Sequence, residues 1–170
     1  MPKWTRKDNL WVIQPPSPIG IIELIGGSYL AATPHISYKR LLGGLNRIGY
    51  IIHTWSYVPG FDHQIQSTNA WRQFRKARYE TLVRYKKSLP VIRIGHSLGA
   101  KLHLIGPDKG RNCSGFISLC FNNYNASKSI PFLNSKRTTG KYIKEFSPSP
   151  EETFKFISGS YMQTNNLIVS

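Results

Sequence analysis

Residues 93–104 read RIGHSLGAKLHL, and Gly95-His96-Ser97-Leu98-Gly99 within them spells G-x-S-x-G. A serine flanked at two residues by glycines can occupy a turn sharp enough to lift its hydroxyl above a sheet edge. This is the arrangement of a nucleophile for acyl transfer. The context suits it. A short apolar strand precedes the motif and a helix follows, so the hydroxyl would sit at a helix N-terminus, where free N–H groups favour developing negative charge.

Acyl transfer needs further groups at defined places. Two N–H donors must converge on the oxyanion. The backbone of Leu98, next after the serine, supplies one. The loop Gly26-Gly27-Ser28 supplies the other, because small residues let backbone approach a substrate closely; Ser28 N–H is the first choice and Gly27 the alternative. A histidine must take the serine proton, and a carboxylate must orient it. In this order of elements both follow the serine. Beyond Ser97, however, the single histidine is His103, on the same helix and unable to fold back, and the carboxylates are Asp108, Glu145, Glu151 and Glu152. The last two fit a helix cap better than a triad. His96 neighbours the serine in sequence. His35 and His63 follow the C-terminal ends of strands, the edge where open α/β sheets place their sites. These three are the candidates to line the pocket, and His53, inside a strand, is expected to be packed.

The elements that must hold these groups follow from pattern and punctuation. Leu10–Ile13 is a short strand stopped by Pro15-Pro16, which remove two ladder donors. Gly20–Ile25 is nearly all apolar, as in a parallel strand covered on both faces. A helix over 34–47 would bury Ile36, Leu41, Leu42 and Leu45. A strand over 50–57 and a helix over 63–87 capped by Asp62 come next, then strands over 90–94 and 115–121 on either side of the serine motif and its helix. Ser149-Pro150-Glu151-Glu152 has the composition of a capped helix start, and Leu167-Ile168-Val169 begins a strand. Alternation of strands and helices predicts a mostly parallel sheet with helices on both faces.

The chain of 170 residues is long enough for one domain, taken as residues 1–170. No apolar run reaches the ~18 residues of a membrane span. Cys113 and Cys120 lie apart from any metal-ligand spacing and read as free thiols in a reducing, intracellular compartment; no metal and no cofactor is implied. The net charge of +15 favours anionic partners. The densest basic stretch, residues 72–87, falls mostly opposite Trp71, Phe74, Leu82 and Tyr85 on a helix. It is explained as a solvated face, and nucleic-acid binding is not expected.

WVIQPPSPIGIIELIGG, ATPHISYKRLLGGLNRIGYIIHTWSYVPGFDHQ, IGHSLGAKLHLIG, ISLCFNNYNASKSIPF and EFSPSPEETFKFI together resemble the family catalogued as domain of unknown function 1350. Its proteins occur in cyanobacteria and plant plastids and belong to the α/β-hydrolase superfamily. The resemblance implies an α/β-hydrolase-like fold and a plastid location. It implies Ser97 as nucleophile, with Ser28 and Leu98 as oxyanion donors. The family pattern continues with two further strands carrying aspartates and a histidine, so the chain is expected to be a C-terminally shortened member lacking the last strands, the acid and the base. Two functions follow as expectations. One is a carboxylic ester or thioester hydrolase acting on a small acyl substrate, weak or inactive in this form. The other is a non-catalytic protein of the same fold that docks an anionic membrane surface or partner. An open sheet edge is expected to favour self-association.

Overall fold

Gly20–Ile25 becomes the strand around which the molecule is organised. Every one of its six residues is buried. A computed structural model describes residues 3–130 and 145–170. Among them seven strands form one sheet: β1 (Thr5–Lys7), β2 (Leu10–Ile13), β3 (Gly20–Ile25), β4 (Tyr50–Trp55), β5 (Val91–His96), β6 (Gly115–Leu119) and β7 (Asn166–Val169). Their order is β1-β2-β4-β3-β5-β6-β7. The pairs β1–β2 and β2–β4 are antiparallel, and β4, β3, β5, β6 and β7 run parallel. The helices are α1 (Pro34–Ser37), α2 (Lys39–Arg47), α3 (His63–Tyr85), α4 (Leu98–Leu104), α5 (Ala126–Ser129) and α6 (Pro150–Ser160). This is the α/β-hydrolase-like architecture expected from the sequence.

Alternation along the strands sorts side chains to two faces. Ile21 and Ile25 of β3 pack with Ile51, Phe74 and Ala77 of α3, and Leu102 of α4. Ile22 and Leu24 pack on the other face with Ile52, Ile94 and Leu42 of α2. Each fully buried Ile or Leu contributes about 1.5–3 kcal/mol. The Asp62 carboxylate caps α3 by accepting the Ile65 N–H at 2.8 Å, and Ser149 with Glu152 forms a capping box on α6.

Some expectations are corrected. The single helix over 34–47 is two, α1 and α2, broken at Tyr38, whose hydroxyl is drawn in to the loop after β3. Of the proposed apolar face, Leu42 is buried while Ile36 and Leu41 are exposed. The strand over 50–57 ends at Trp55 and the one over 115–121 at Leu119. Strand β1 is an addition to the expected elements: Asp8-Asn9, with Asp8 at φ 54°, is a tight hairpin turn between β1 and β2. Nor is the 72–87 stretch wholly solvated, because Arg78 reaches a buried carboxylate; and of the apolar residues placed opposite it, Phe74 is buried but Leu82 is exposed. In β7, Leu167, Ile168 and Val169 are all exposed.

Odd positions on the α3 face also carry charge. Glu23 of β3 is fully buried, and its register partner on β5 is Arg93. Arg93 Nε lies 3.3 Å from Glu23 Oε2, and its two terminal nitrogens donate to Asp108 at 2.9 and 2.7 Å. Arg78 Nε lies 3.0 Å from Glu23 Oε1. Burial pushes the Glu23 carboxyl up against the pull of Arg78 and Arg93. Burial also pushes Asp108 up, but the Arg93 hydrogen bonds and charge outweigh it and hold the carboxyl at about 2.

Removing one partner from a buried pair strands the other charge, at a cost of about 3–5 kcal/mol. Asp108→Asn is therefore expected to lower unfolding free energy by that order in urea denaturation. A loss under about 1 kcal/mol would mean that Arg93 is solvated or satisfied without Asp108. Because the folded Asp108 pKa lies below the ordinary value of about 3.9, its stabilisation is complete above about pH 4. It is lost as pH falls toward 2. That acid limb should be missing in Asp108→Asn.

Candidate active site

Strand β5 delivers Ser97 to the C-terminal edge of the sheet. Ser97 has φ 52° and ψ −118°, a conformation costly for a residue with a Cβ. Two contacts impose it. A Cβ on Gly95 would lie 2.3 Å from the Ala100 Cα, and one on Gly99 would lie 2.0 Å from the Ile25 carbonyl oxygen. Helix α4 thus runs directly over the ends of β5 and β3. The Ser97 N–H donates to Leu119 O at 2.9 Å, tying the turn to the end of β6.

The loop after β3 lies against this turn. A Cβ on Gly27 would meet the Ser97 Cβ at 3.2 Å and the His96 ring at 2.8 Å. The Gly27 N–H donates to the Tyr38 hydroxyl at 3.0 Å, which removes Gly27 as a ready oxyanion donor. Tyr38 Oη is also 2.8 Å from His96 Nδ1. Burial lowers the His96 pKa, which favours the neutral ring. Ser28 opens a short 3-10 helix and Leu98 opens α4; the leading N–H groups of such turns have no intrahelical acceptor. Both residues line one cavity with Ser97.

This cavity has a volume of about 390 Å³, and its walls include Tyr29, His63, His96, Lys101, Tyr124 and Phe146. His63 is the first residue of α3, 1% exposed, its ring 4.3 Å from that of Phe146. Burial, then Lys101, lowers its pKa to about 4, with the Gly60 carbonyl and Asp62 pulling the other way. Lys101 is 3% exposed and its Nζ donates to Pro148 O at 2.8 Å. Burial lowers its pKa to about 8, against the attraction of Glu145 and Glu152.

The structure gathers Ser97, Leu98, Ser28, Gly27, His96 and His63 around one space. His35 stands elsewhere: its ring stacks on Trp11 at 3.7 Å, because α1 turns it toward β2. His103 is buried with Nε2 3.2 Å from Glu23 O, and His53 is 1% exposed. Asp108 is committed to Arg93. Sequence reasoning passed over Tyr38 and Lys101. Tyr38 had no readable signal, since its partners lie across the sheet. Lys101 had one: a lysine four residues after the serine in a short helix of otherwise apolar residues and His103.

A larger open groove of about 660 Å³ lies at the other end of the strands, lined by Ile21, Val91 and Ser114 with Arg75, Arg78, Lys87 and Arg111. Cys113 and Cys120 are free thiols. Among the described residues no group of three His, Cys, Asp or Glu side chains could hold a metal, and no helix is long and apolar enough to cross a membrane.

Replacing Ser97 by glycine removes the Cβ from a strained conformation. We expect Ser97→Gly to raise the thermal midpoint by a few degrees, corresponding to about 1 kcal/mol of released strain. An unchanged or lowered midpoint would mean that the backbone at 97 is unstrained in solution.

Several solved structures share the fold. A highly thermostable carboxyl esterase from Bacillus coagulans, solved with glycerol, is 15% identical with a TM-score of 0.51, over 98% of this chain and 68% of that one. The Francisella virulence factor BioJ is 16% identical with a TM-score of 0.57, over 99% and 63%. FphF, a fluorophosphonate-binding serine hydrolase of Staphylococcus aureus, is 12% identical with a TM-score of 0.57, over 99% and 77%. At these identities the likeness is one of fold. No curated protein matches the sequence. Residues 3–170 match a family described as a protein of unknown function, DUF1350, and the chain belongs to that family.

Proposed function

We propose that this is a serine-hydrolase-like protein that attacks carboxylic esters or thioesters through Ser97. The observation that carries the reading is the left-handed backbone of Ser97 at a strand-to-helix turn, opening into a cavity it shares with the leading residues of two helical turns. Ser97 Oγ would add to the acyl carbon, and the N–H groups of Ser28 and Leu98 would hold the oxyanion. The alcohol or thiol would then leave, and water would release the acid from the acyl-enzyme.

The proton acceptor is the weak point. His63 shares the cavity but is a poor base, with a pKa near 4. His96 is turned to Tyr38, and His103 to the Glu23 carbonyl. We therefore propose weak turnover by the residues described.

A fluorophosphonate probe is expected to label Ser97 slowly, with labelling lost in Ser97→Ala. Hydrolysis of p-nitrophenyl butyrate should be no more than about 10³ over water, the residue left by oxyanion donors and binding alone. Labelling elsewhere, or none with intact folded protein, would sink the nucleophile assignment. Fast burst kinetics that His63→Gln abolishes would instead make His63 the base.

A second reading is favoured by the basic groove at the opposite end of the sheet. There Arg75, Lys87 and Arg111 are exposed. In that reading the fold serves docking to an anionic membrane surface. Sedimentation with vesicles containing anionic lipid would test it, with binding expected to fade steeply as salt screens the charges. Equal binding to neutral vesicles would count against it.

A further inference from the structure

Lys101 carries a charge in an unusual place. It lies one turn after Ser97 on α4, and residues four apart on a helix share a face. Helical side chains lean toward the N-terminus, so the lysine stem runs back over the turn that holds Ser97. Both residues line the 390 Å³ cavity.

The ammonium has three protons to donate. Among the described residues one acceptor meets it, Pro148 O at 2.8 Å, and Phe146 offers a ring face 5.6 Å away. No carboxylate of the described residues lies within ion-pair distance of Lys101. The two that attract it from farther away are engaged elsewhere: Glu145 Oε1 accepts from the Ala126 and Phe146 N–H groups, and Glu152 closes the capping box with Ser149. No Asp or Glu is among the described residues of the cavity wall, and His63 there is neutral at pH 7. Lys101, at 3% exposure, is thus a buried cation facing a cavity whose described wall holds no carboxylate, with Glu145 and Glu152 attracting it only from beyond ion-pair distance. Such a cation is costly unless a ligand supplies the anion.

We infer that the cavity is built for acyl groups that end in a carboxylate, which pairs with Lys101 while the ester or thioester carbonyl lies at Ser97. The four-residue offset spans about 6 Å of helix axis. That matches a short dicarboxylic half-ester, such as a half-ester of glutaric acid. The long-range field of a chain with net charge +15 attracts the same anion. This inference rests on the hydrolase reading for the ester end of the substrate, but the anion site does not require turnover.

The test compares binding of monomethyl glutarate and methyl valerate, of equal chain length, to the full chain by calorimetry. We expect the acid to bind at least tenfold more tightly than the neutral ester. Lys101→Met, checked for an unchanged thermal midpoint, should erase the difference. Equal affinity for the two ligands overturns the inference, as does a preference that survives in Lys101→Met. Should that variant fail to fold, the wild-type ratio alone decides. Fluorophosphonate labelling of Ser97 separates the two readings. A carboxylate preference without labelling removes the hydrolase and leaves the anion site, and labelling without the preference does the reverse.

Discussion

A methylene added to Gly99 would land 2.0 Å from the Ile25 carbonyl oxygen. That close approach of α4 to the end of β3 is the constraint on which the site depends. It leaves no room for a gradual turn after β5, so the chain reverses at Ser97 in a conformation that L-residues avoid. It also brings the loop after β3 against the turn, where Gly27 can lie beside Ser97 only because it has no side chain. The close packing of backbone, rather than any polar contact, brings Ser97, Leu98 and Ser28 to one cavity.

The same elements are held in register by charge. Glu23, Arg93, Arg78 and Asp108 come from β3, β5, α3 and the segment after α4, and they meet on one face of the sheet. A buried network of this kind is weak evidence for net stability, since each ion loses its hydration. Its effect here is on alternatives. A one-residue slip of β5 against β3 would turn Arg93 to the α2 face, away from Glu23 and Asp108. The apolar pattern of both strands alone would tolerate that slip better.

The two sides of the sheet edge differ in their electrostatics. The loop after β3 is neutral and locked by Tyr38, which accepts from the Gly27 N–H and hydrogen-bonds His96 Nδ1. The α4 side carries Lys101, whose charge also helps keep His63 unprotonated. The site therefore pairs a strained hydroxyl with a buried cation and lacks a strong base among the described residues.

Much of the fold was legible because its signals are local. Paired prolines end β2, an unbroken apolar run makes β3 central, Asp62 and Ser149 cap their helices, and the glycines at 95 and 99 announce the turn at Ser97. These depend on residues within a few positions of one another. What the sequence could not determine depends on strand order. His35 and His63 looked alike, each just past a strand. Only the placement of α1 against β2 and of α3 against α4 sends the first to Trp11 and the second to the cavity. Tyr38 broke an expected helix because its partners lie in the loop after β3 and on β5. Arg93 and Asp108 were unremarkable until the β4-β3-β5 order set Glu23 beside them. The sequence by itself determined the elements and the turn that presents Ser97, since short-range sterics and periodicity suffice for those. The tertiary structure decided which side chains surround that serine, because those contacts join residues far apart in the chain that no local pattern couples.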